Sequence, residues 1–211
     1  RAIVIDVGPD PTAMDQCLRR LDISTIALLI LTHPHADHIA GLSGARKGRK
    51  VEATWSGNIA AGSRATLGEY SIEVLWPLTV GATDENPNNI SIAALIKSRD
   101  LSLFAAGDIE PQVQEQLRGK VGRVDIYKVA HHGSRYQDLT LLNELSPTLA
   151  LISAGEGNSY GHPAPSTIAA LEHLRAKVLR TDRDGAIAVD ARNHALTIST
   201  ESAKPRLINW S

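Results

Sequence analysis

The stretch Leu31-Thr32-His33-Pro34-His35-Ala36-Asp37-His38 places three imidazoles and a carboxylate within six residues, directly after the apolar run Ile26 to Leu31. A His-rich turn is ordinarily a solvated loop, but this order sets four potential metal ligands at the end of one strand. In an extended or tightly turning segment alternate residues point the same way. His33 and His35 are therefore placed to grip one ion, while Asp37 and His38 swing toward a second.

With 211 residues, 43 % of them hydrophobic, the chain is long enough for one well-buried core, and a single compact domain over 1–211 is expected. The formal net charge of -1 provides no global basic footprint, so a polyanionic partner must be drawn by local patches or by bound metal. The single cysteine, Cys17, rules out an intrachain disulfide and a thiolate-rich zinc site, which leaves His and carboxylate as the ligand set. Its setting, Met14-Asp15-Gln16-Cys17-Leu18, predicts a place on a buried helix face. No run approaches the roughly 20 apolar residues of a membrane-spanning helix, so no membrane insertion by this segment is expected. The chain opens on Arg1 inside a strand-like pattern, which predicts a domain excised from a larger protein.

Ala2 to Ile5 reads as a buried strand ending at Asp6-Val7-Gly8, followed by a helix capped by Thr12 with the face Met14, Cys17, Leu18 and Leu21. After the His-rich loop come a short helix through Ile39 and a Gly-containing loop bearing Arg46, Lys47, Arg49 and Lys50. Such a basic run is ordinarily a solvated turn, and phosphate contact is the alternative. Val51 to Leu75 reads as a strand meander, Gly81 to Asn89 as a polar Asn-rich loop, and Ile90 to Ala106 as a hairpin turning at Ser98-Arg99-Asp100. Helices then alternate with strands from Pro111 to Ile198. The pattern predicts an α/β fold with two mixed sheets face to face and helices outside.

Further candidate ligands stand where predicted strands end: Asp108, the pair His131-His132, and His162. Strand ends of a layered fold cluster on one rim, and glycines adjoin Asp108 and His132. His173 and His194 sit in ordinary helix and strand patterns and are read as surface or core groups.

His33-x-His35-x-Asp37-His38, Gly107-Asp108 and His131-His132-Gly133-Ser134 resemble the metallo-β-lactamase superfamily, an αβ/βα sandwich holding two metals between its sheets. Adding Asp6-Val7-Gly8, Asn88-Asn89, Lys128-Val129-Ala130, Asn158-x-Tyr160-Gly161-His162-Pro163 and Thr181-Asp182-x-x-Gly185 narrows the resemblance to the C-terminal domain of the ComEC family, the membrane channel of bacterial DNA uptake. It spans Ile3 to about Val189. Family domains of this kind carry one more strand before the point where this sequence opens.

Matched position by position, the resemblance implies that His33 and His35 hold one metal, Asp37 and His38 the other, that Asp108 bridges, and that His132 completes the second site. His131 and His162 are then candidates for leaving-group protonation or phosphate binding, with Asp37 at the reacting centre, and either could replace His132 as a ligand. Asp6 would orient a ligand imidazole, and Asn89 and Ser134 would support the site or touch substrate. Many superfamily members have a third His for the first metal, yet none lies between His38 and His131 here. Asn89 or water would fill in, leaving a labile site for which Mn²⁺ is as reasonable as Zn²⁺. Arg46, Lys47, Arg49, Lys50, Lys128 and Arg135 are the candidate DNA contacts.

The implied function is a metal-dependent deoxyribonuclease, hydrolysing one DNA strand by a two-metal-activated hydroxide during uptake. Its implied partners are single-stranded DNA and the channel portion of a bacterial inner-membrane parent, with the domain on the extracytoplasmic face. A hydrolase of a small ester, lactone or phosphodiester is the alternative within the fold, and a non-catalytic DNA-binding domain is the alternative outside it.

Overall fold

In the computed structural model the apolar patterning resolves into three sheets, described for residues 1–193, 195–201 and 203–209. His194 and the side chains of 203–209 lie outside the described residues. The first sheet is parallel. β1 (Ala2–Ile5) and the pair β3 (Lys50–Val51) and β4 (Thr54–Trp55) flank β2 (Thr25–Ile30). β2 is apolar from Ile26 to Ile30 because both of its faces are covered. Ile26 and Leu29 pack with Val4 and Ala45 under α1 (Pro11–Arg20) and α3 (Leu42–Arg46), while Leu28 and Ile30 face the second sheet.

The second sheet has seven strands in the order β11-β10-β9-β8-β7-β6-β5. β5 (Arg64–Leu67), β6 (Tyr70–Trp76), β7 (Ala93–Lys97) and β8 (Ser102–Ala105) run antiparallel, and β9 (Ile126–Lys128), β10 (Leu149–Ile152) and β11 (Lys177–Arg180) continue in parallel from β8. Its outer face, with Phe104, Tyr127, Ala150 and Ile152, packs under α4 (Pro111–Gln116), α5 (Leu139–Leu145) and α6 (Pro165–His173). Phe104 and Tyr127 stack at 5.9 Å in the centre of that core, where truncating Phe104 to Ala would cost about 3–5 kcal/mol.

The inner face is covered in two parts. The first sheet lies over Ile72, Val74, Ala94, Ile96 and Ala105. A third, antiparallel sheet lies over Ile126, Leu149 and Leu179. It is built from β12 (Ile187–Arg192), β13 (Ala195–Thr200) and β14 (Ala203–Asn209), and it follows α7 (Thr181–Asp184). The helix-flanked α/β sandwich is thus the predicted one, with the closing strands folded as a sheet of their own.

Four local expectations change. The residues read as a meander from Val51 divide, with β3 and β4 joining β2 in parallel and only β5 onward forming antiparallel neighbours. The Gly-containing loop after Ile39 contains α3. Asp10 caps α1 instead of Thr12, its carboxylate accepting from the amides of Thr12 and Ala13. Cys17 is exposed, because α1 turns Met14, Asp15 and Leu18 inward. Asp15 is tolerated there because Arg49 and Arg19 neutralise it, and with Lys47 they hold its carboxyl down to about 2 against the opposing effect of burial.

Candidate metal centre

β2 delivers its His-rich loop to the same rim as β8 and β9. Thr32, His33 and His38 are buried there, and Ala36–Ile39 forms the one-turn helix α2 that turns Asp37 and His38 back toward the second sheet. From β8 the chain passes Gly107, at φ 58°, into Asp108. A Cβ at Gly107 would stand 2.7 Å from that of Ser91 and 3.3 Å from that of Thr32, so only glycine lets β8 close against the loop. From β9 the chain enters a left-handed turn in which His131 and His132 have φ of 47° and 51°, conformations that cost non-glycine residues energy and mark a turn held by its surroundings.

The acceptors that converge between the sheets define the centre. His38 Nδ1 lies 2.7 Å from Asp6 Oδ2, and His132 Nδ1 lies 2.8 Å from the carbonyl oxygen of Ser153. With both Nδ1 atoms donating, each neutral ring aims its Nε2 lone pair inward, and the two Nε2 atoms face each other at 3.2 Å. Asp108 Oδ2 is 3.2 Å from one and 3.3 Å from the other, and Asp37 Oδ2 is 3.6 and 3.2 Å away. Asp108 Oδ1 is buried without a partner. Four acceptors pointed at one another are reconciled only by protons or by a cation, and the donor set of imidazole and carboxylate suits a borderline divalent ion. The residues therefore fit a metal. The atoms converge as Asp37, His38 and His132, and as His33, His38 and Asp108. His35 joins through His33, Nδ1 to Nε2 at 3.0 Å.

The titration of these groups has the same cause. Burial opposes the imidazolium of His38, but the carboxylates of Asp108 and Asp6 outweigh it and lift the ring to about 10. Burial and the neighbouring His38 push His33 down to about 4. Burial would raise Asp108, yet its contacts with His132 and His38 hold its carboxyl well below the ordinary range.

Other residues support the ligands, and Glu110 and Ser91 among them carry no sequence signal. Glu110 Oε1 lies 2.7 Å from His131 Nδ1 and, against the effect of burial, raises the imidazole above its usual pKa together with Asp108. Thr32 binds both carboxylate oxygens of Asp6 through its amide and hydroxyl, and Ser91 Oγ accepts from the amide of Asp108. His162 stands with its ring 5.2 Å from that of His131, its Nδ1 buried and unpartnered. Burial and the two neighbouring His residues lower its pKa.

Other expected site residues lie elsewhere or have other work. Asn89 Oδ1 accepts from the amide of Glu110 and its Nδ2 faces Asp84, so it anchors the Asn-rich turn and is not aimed at His33. Its neighbour Asn88 presents the buried, unpartnered oxygen. Ser134 is buried with Oγ accepting from the amide of Tyr136, a turn contact beneath the rim. The basic run sits at the far end of β2 from His33, because Lys50 pairs with Thr25. Arg49 is buried on Asp15 and on the carbonyls of Ile23 and Gly44, which excludes it as a DNA contact. Lys47 reaches Asp15 and Lys50 reaches Glu52, whereas Arg46 and Arg135 are exposed, Arg135 directly after the His132 turn.

A parallel-plus-antiparallel sandwich that gathers His-x-His-x-Asp-His, a strand-end Asp and a returning His at one rim defines a class. Residues 1–140 match the metallo-beta-lactamase superfamily, and the chain belongs to it. Within that class the chain is similar to three curated proteins. It is 26 % identical over 204 residues to ComE operon protein 3 of Bacillus subtilis (84 % of this chain, 26 % of the relative). It is 25 % identical over 199 residues to Recombination protein 2 of Haemophilus influenzae (86 % and 24 %), and 28 % identical over 181 residues to Competence protein ComA of Neisseria gonorrhoeae (81 % and 25 %). These bear out the ComEC-type resemblance. The chain spans about a quarter of the length of the relatives it matches. Family and donor set together make it a metal-dependent hydrolase domain.

Proposed function

We propose that this chain is the nuclease domain of a ComEC-type DNA-uptake protein, hydrolysing DNA phosphodiesters with two divalent ions, Mn²⁺ or Zn²⁺. The observation that carries the reading is the convergence of His38 Nε2, His132 Nε2, Asp37 Oδ2 and Asp108 Oδ2 within 3.2–3.6 Å. The names of two of the relatives speak of recombination and competence, and DNA is the substrate those processes share.

His33, His35 and Asp108 would hold one ion, and Asp37, His38 and His132 with Asp108 the other. Bound there, the ions supply Lewis acidity toward a phosphoryl oxygen and an activated water. The remaining chemistry belongs to side chains. His131, whose imidazole Glu110 raises above its usual pKa against burial, stands at the rim as the proton donor for the leaving oxygen. His162 beside it offers a second imidazole to the phosphate. Asp6 and Ser153 fix the His38 and His132 rings with Nε2 inward. Arg135, exposed directly after the His132 turn, would offer a charge to the DNA backbone.

We place the domain on a membrane-channel parent, on the extracytoplasmic side of a bacterial inner membrane. Among the described residues no helix is long and apolar enough to cross a membrane. A small-ester or lactone substrate is the second reading, favoured by the apolar walls Ile5, Leu103 and Leu151 of the cleft beside the centre. Turnover of a labelled oligodeoxynucleotide in Mn²⁺ or Zn²⁺ supports the first reading. Turnover of an ester or lactone panel with intact DNA supports the second.

A further inference from the structure

The inner face of the second sheet alternates regularly into the core. Leu103 and Ala105 of β8, Ile126 and Lys128 of β9, and Leu149 and Leu151 of β10 all point to that side. Ala105, Lys128 and Leu151 are direct neighbours across the three strands. A lysine in this row is out of pattern, since every other member is aliphatic.

Two sheets share the cover over this face, and Lys128 falls where they part. Leu103 packs both with the cluster beneath the first sheet and with the cluster beneath the third. From there a cleft of about 710 Å³ runs up past Lys128 to Asp108, His38 and His132, and opens beside Tyr160, which is 82 % exposed and stacks on His162. The Lys128 amine meets this cleft with no hydrogen bond or ion pair among the described residues. Burial draws its pKa down, against the fields of Asp108 and Asp6.

We propose that Lys128 binds a phosphate flanking the scissile one, and that the cleft admits a polynucleotide only as a single strand. This rests on the nuclease reading of the same centre. The reason is geometric. Lys128 lines the same cleft as Asp108, His38 and His132, so a backbone that sets one phosphate at the centre and the next on Lys128 must lie within the cleft with its bases unpaired. The walls Ile5, Leu103 and Leu151 offer apolar contact to a base or sugar, and Tyr160 at the mouth offers an aromatic face on which an unpaired base stacks. A duplex presents its paired bases side by side and cannot enter a slot of ligand size.

The test compares Lys128→Gln and Lys128→Arg with the unaltered chain on a single-stranded oligodeoxynucleotide, the same sequence as blunt duplex, and bis(p-nitrophenyl) phosphate, which has no flanking phosphate. Lys128→Gln is expected to lower kcat/KM on the single strand about thirtyfold, chiefly through KM, the size expected for losing one charge-assisted contact. That loss should exceed the loss on the small diester at least about tenfold. The slope of log(kcat/KM) against log[salt] should become shallower by about 0.7, one phosphate contact on a single strand, and Lys128→Arg should restore most of it. Equal losses on the two substrates, an unchanged salt slope, or wild-type cleavage of blunt duplex as fast as single strand overturns the proposal. Fluorescence anisotropy with a non-cleavable phosphorothioate strand reads the same contact without turnover. If neither polynucleotide is cleaved, the nuclease reading fails, while a shallower salt slope of binding in Lys128→Gln still upholds the contact and an unchanged slope rejects it.

Discussion

His38 Nδ1 lies 2.7 Å from Oδ2 of Asp6, a carboxylate from the turn after β1 that also accepts the amide and hydroxyl of Thr32. Asp6 adopts a φ of 57° to make these contacts. The arrangement fixes one tautomer of His38 and so decides that Nε2, and not Nδ1, faces Asp108 and His132. Such outer contacts are where much of the affinity of a metal site is set.

Replacing Asp6 by Asn keeps the shape and removes the charge. Asp6→Asn is expected to weaken divalent-ion binding about 10–100-fold, measured by isothermal titration calorimetry with Mn²⁺ and Zn²⁺. Unchanged affinity would mean that Asp6 serves only the Thr32 turn.

Glu110→Gln tests whether His131 acts as a proton donor. Glu110 is the contact that raises His131 against burial, so removing its charge lowers the imidazole pKa. The alkaline limb of the kcat profile should move to lower pH, with kcat down about tenfold or more. Ion affinity should hold. A profile that keeps its alkaline limb in place assigns the proton to another group.

The ion-free protein should show a stability maximum near pH 6.5. His38, ordinarily 6.5 and raised to about 10, contributes stability that is complete below pH 6.5 and is lost as pH climbs through 10. His33, lowered to about 4, contributes stability present above pH 6.5 and lost as pH falls through 4. Thermal unfolding in a chelator from pH 4 to 10 should trace both arms. Saturating Mn²⁺ should flatten the alkaline arm, because the ion takes the place of the His38 proton. A Tm that rises steadily from pH 6.5 to 9 without ions contradicts the assignment.

Arg49→Ala should lower Tm by several degrees through loss of the buried clasp on Asp15, without altering ion affinity. Arg46→Ala and Lys50→Ala should leave both properties unchanged. DNA cleavage impaired by these variants at unaltered stability would return the basic run to the substrate path.

These outcomes follow the line between what the sequence displays and what only the fold decides. His33 to His38, Asp108 and the His131-His132 pair are legible because each is a rare residue at the end of an apolar strand, and strand ends share a rim. Glu110 and Ser153 are illegible, since nothing local marks a residue that orients an imidazole 21 positions away. The basic run looked like a phosphate site because charge density is all that a sequence shows. The pairing of Lys50 with Thr25 puts it at the wrong end of β2. Nothing in the sequence separates Lys128 from the other basic candidates, yet in strand alternation Lys128 is the charge that faces inward. Cys17 misled for a related reason, as the inward place on α1 belongs to Asp15, whose partner Arg49 is 34 residues away.

Asp108 stands among side chains from both halves of the chain, and the proposed cleavage of DNA depends on its uniting them as ligands of one centre. That dependence is tested most directly by titrating Mn²⁺ and Zn²⁺ into the wild-type chain and Asp108→Ala while following hydrolysis of a labelled single-stranded oligodeoxynucleotide. Wild-type cleavage should saturate with ion occupancy, and Asp108→Ala should lose at least about 10³-fold at saturating ion. Cleavage retained by ion-saturated Asp108→Ala, or wild type that binds ions and leaves DNA intact, contradicts it.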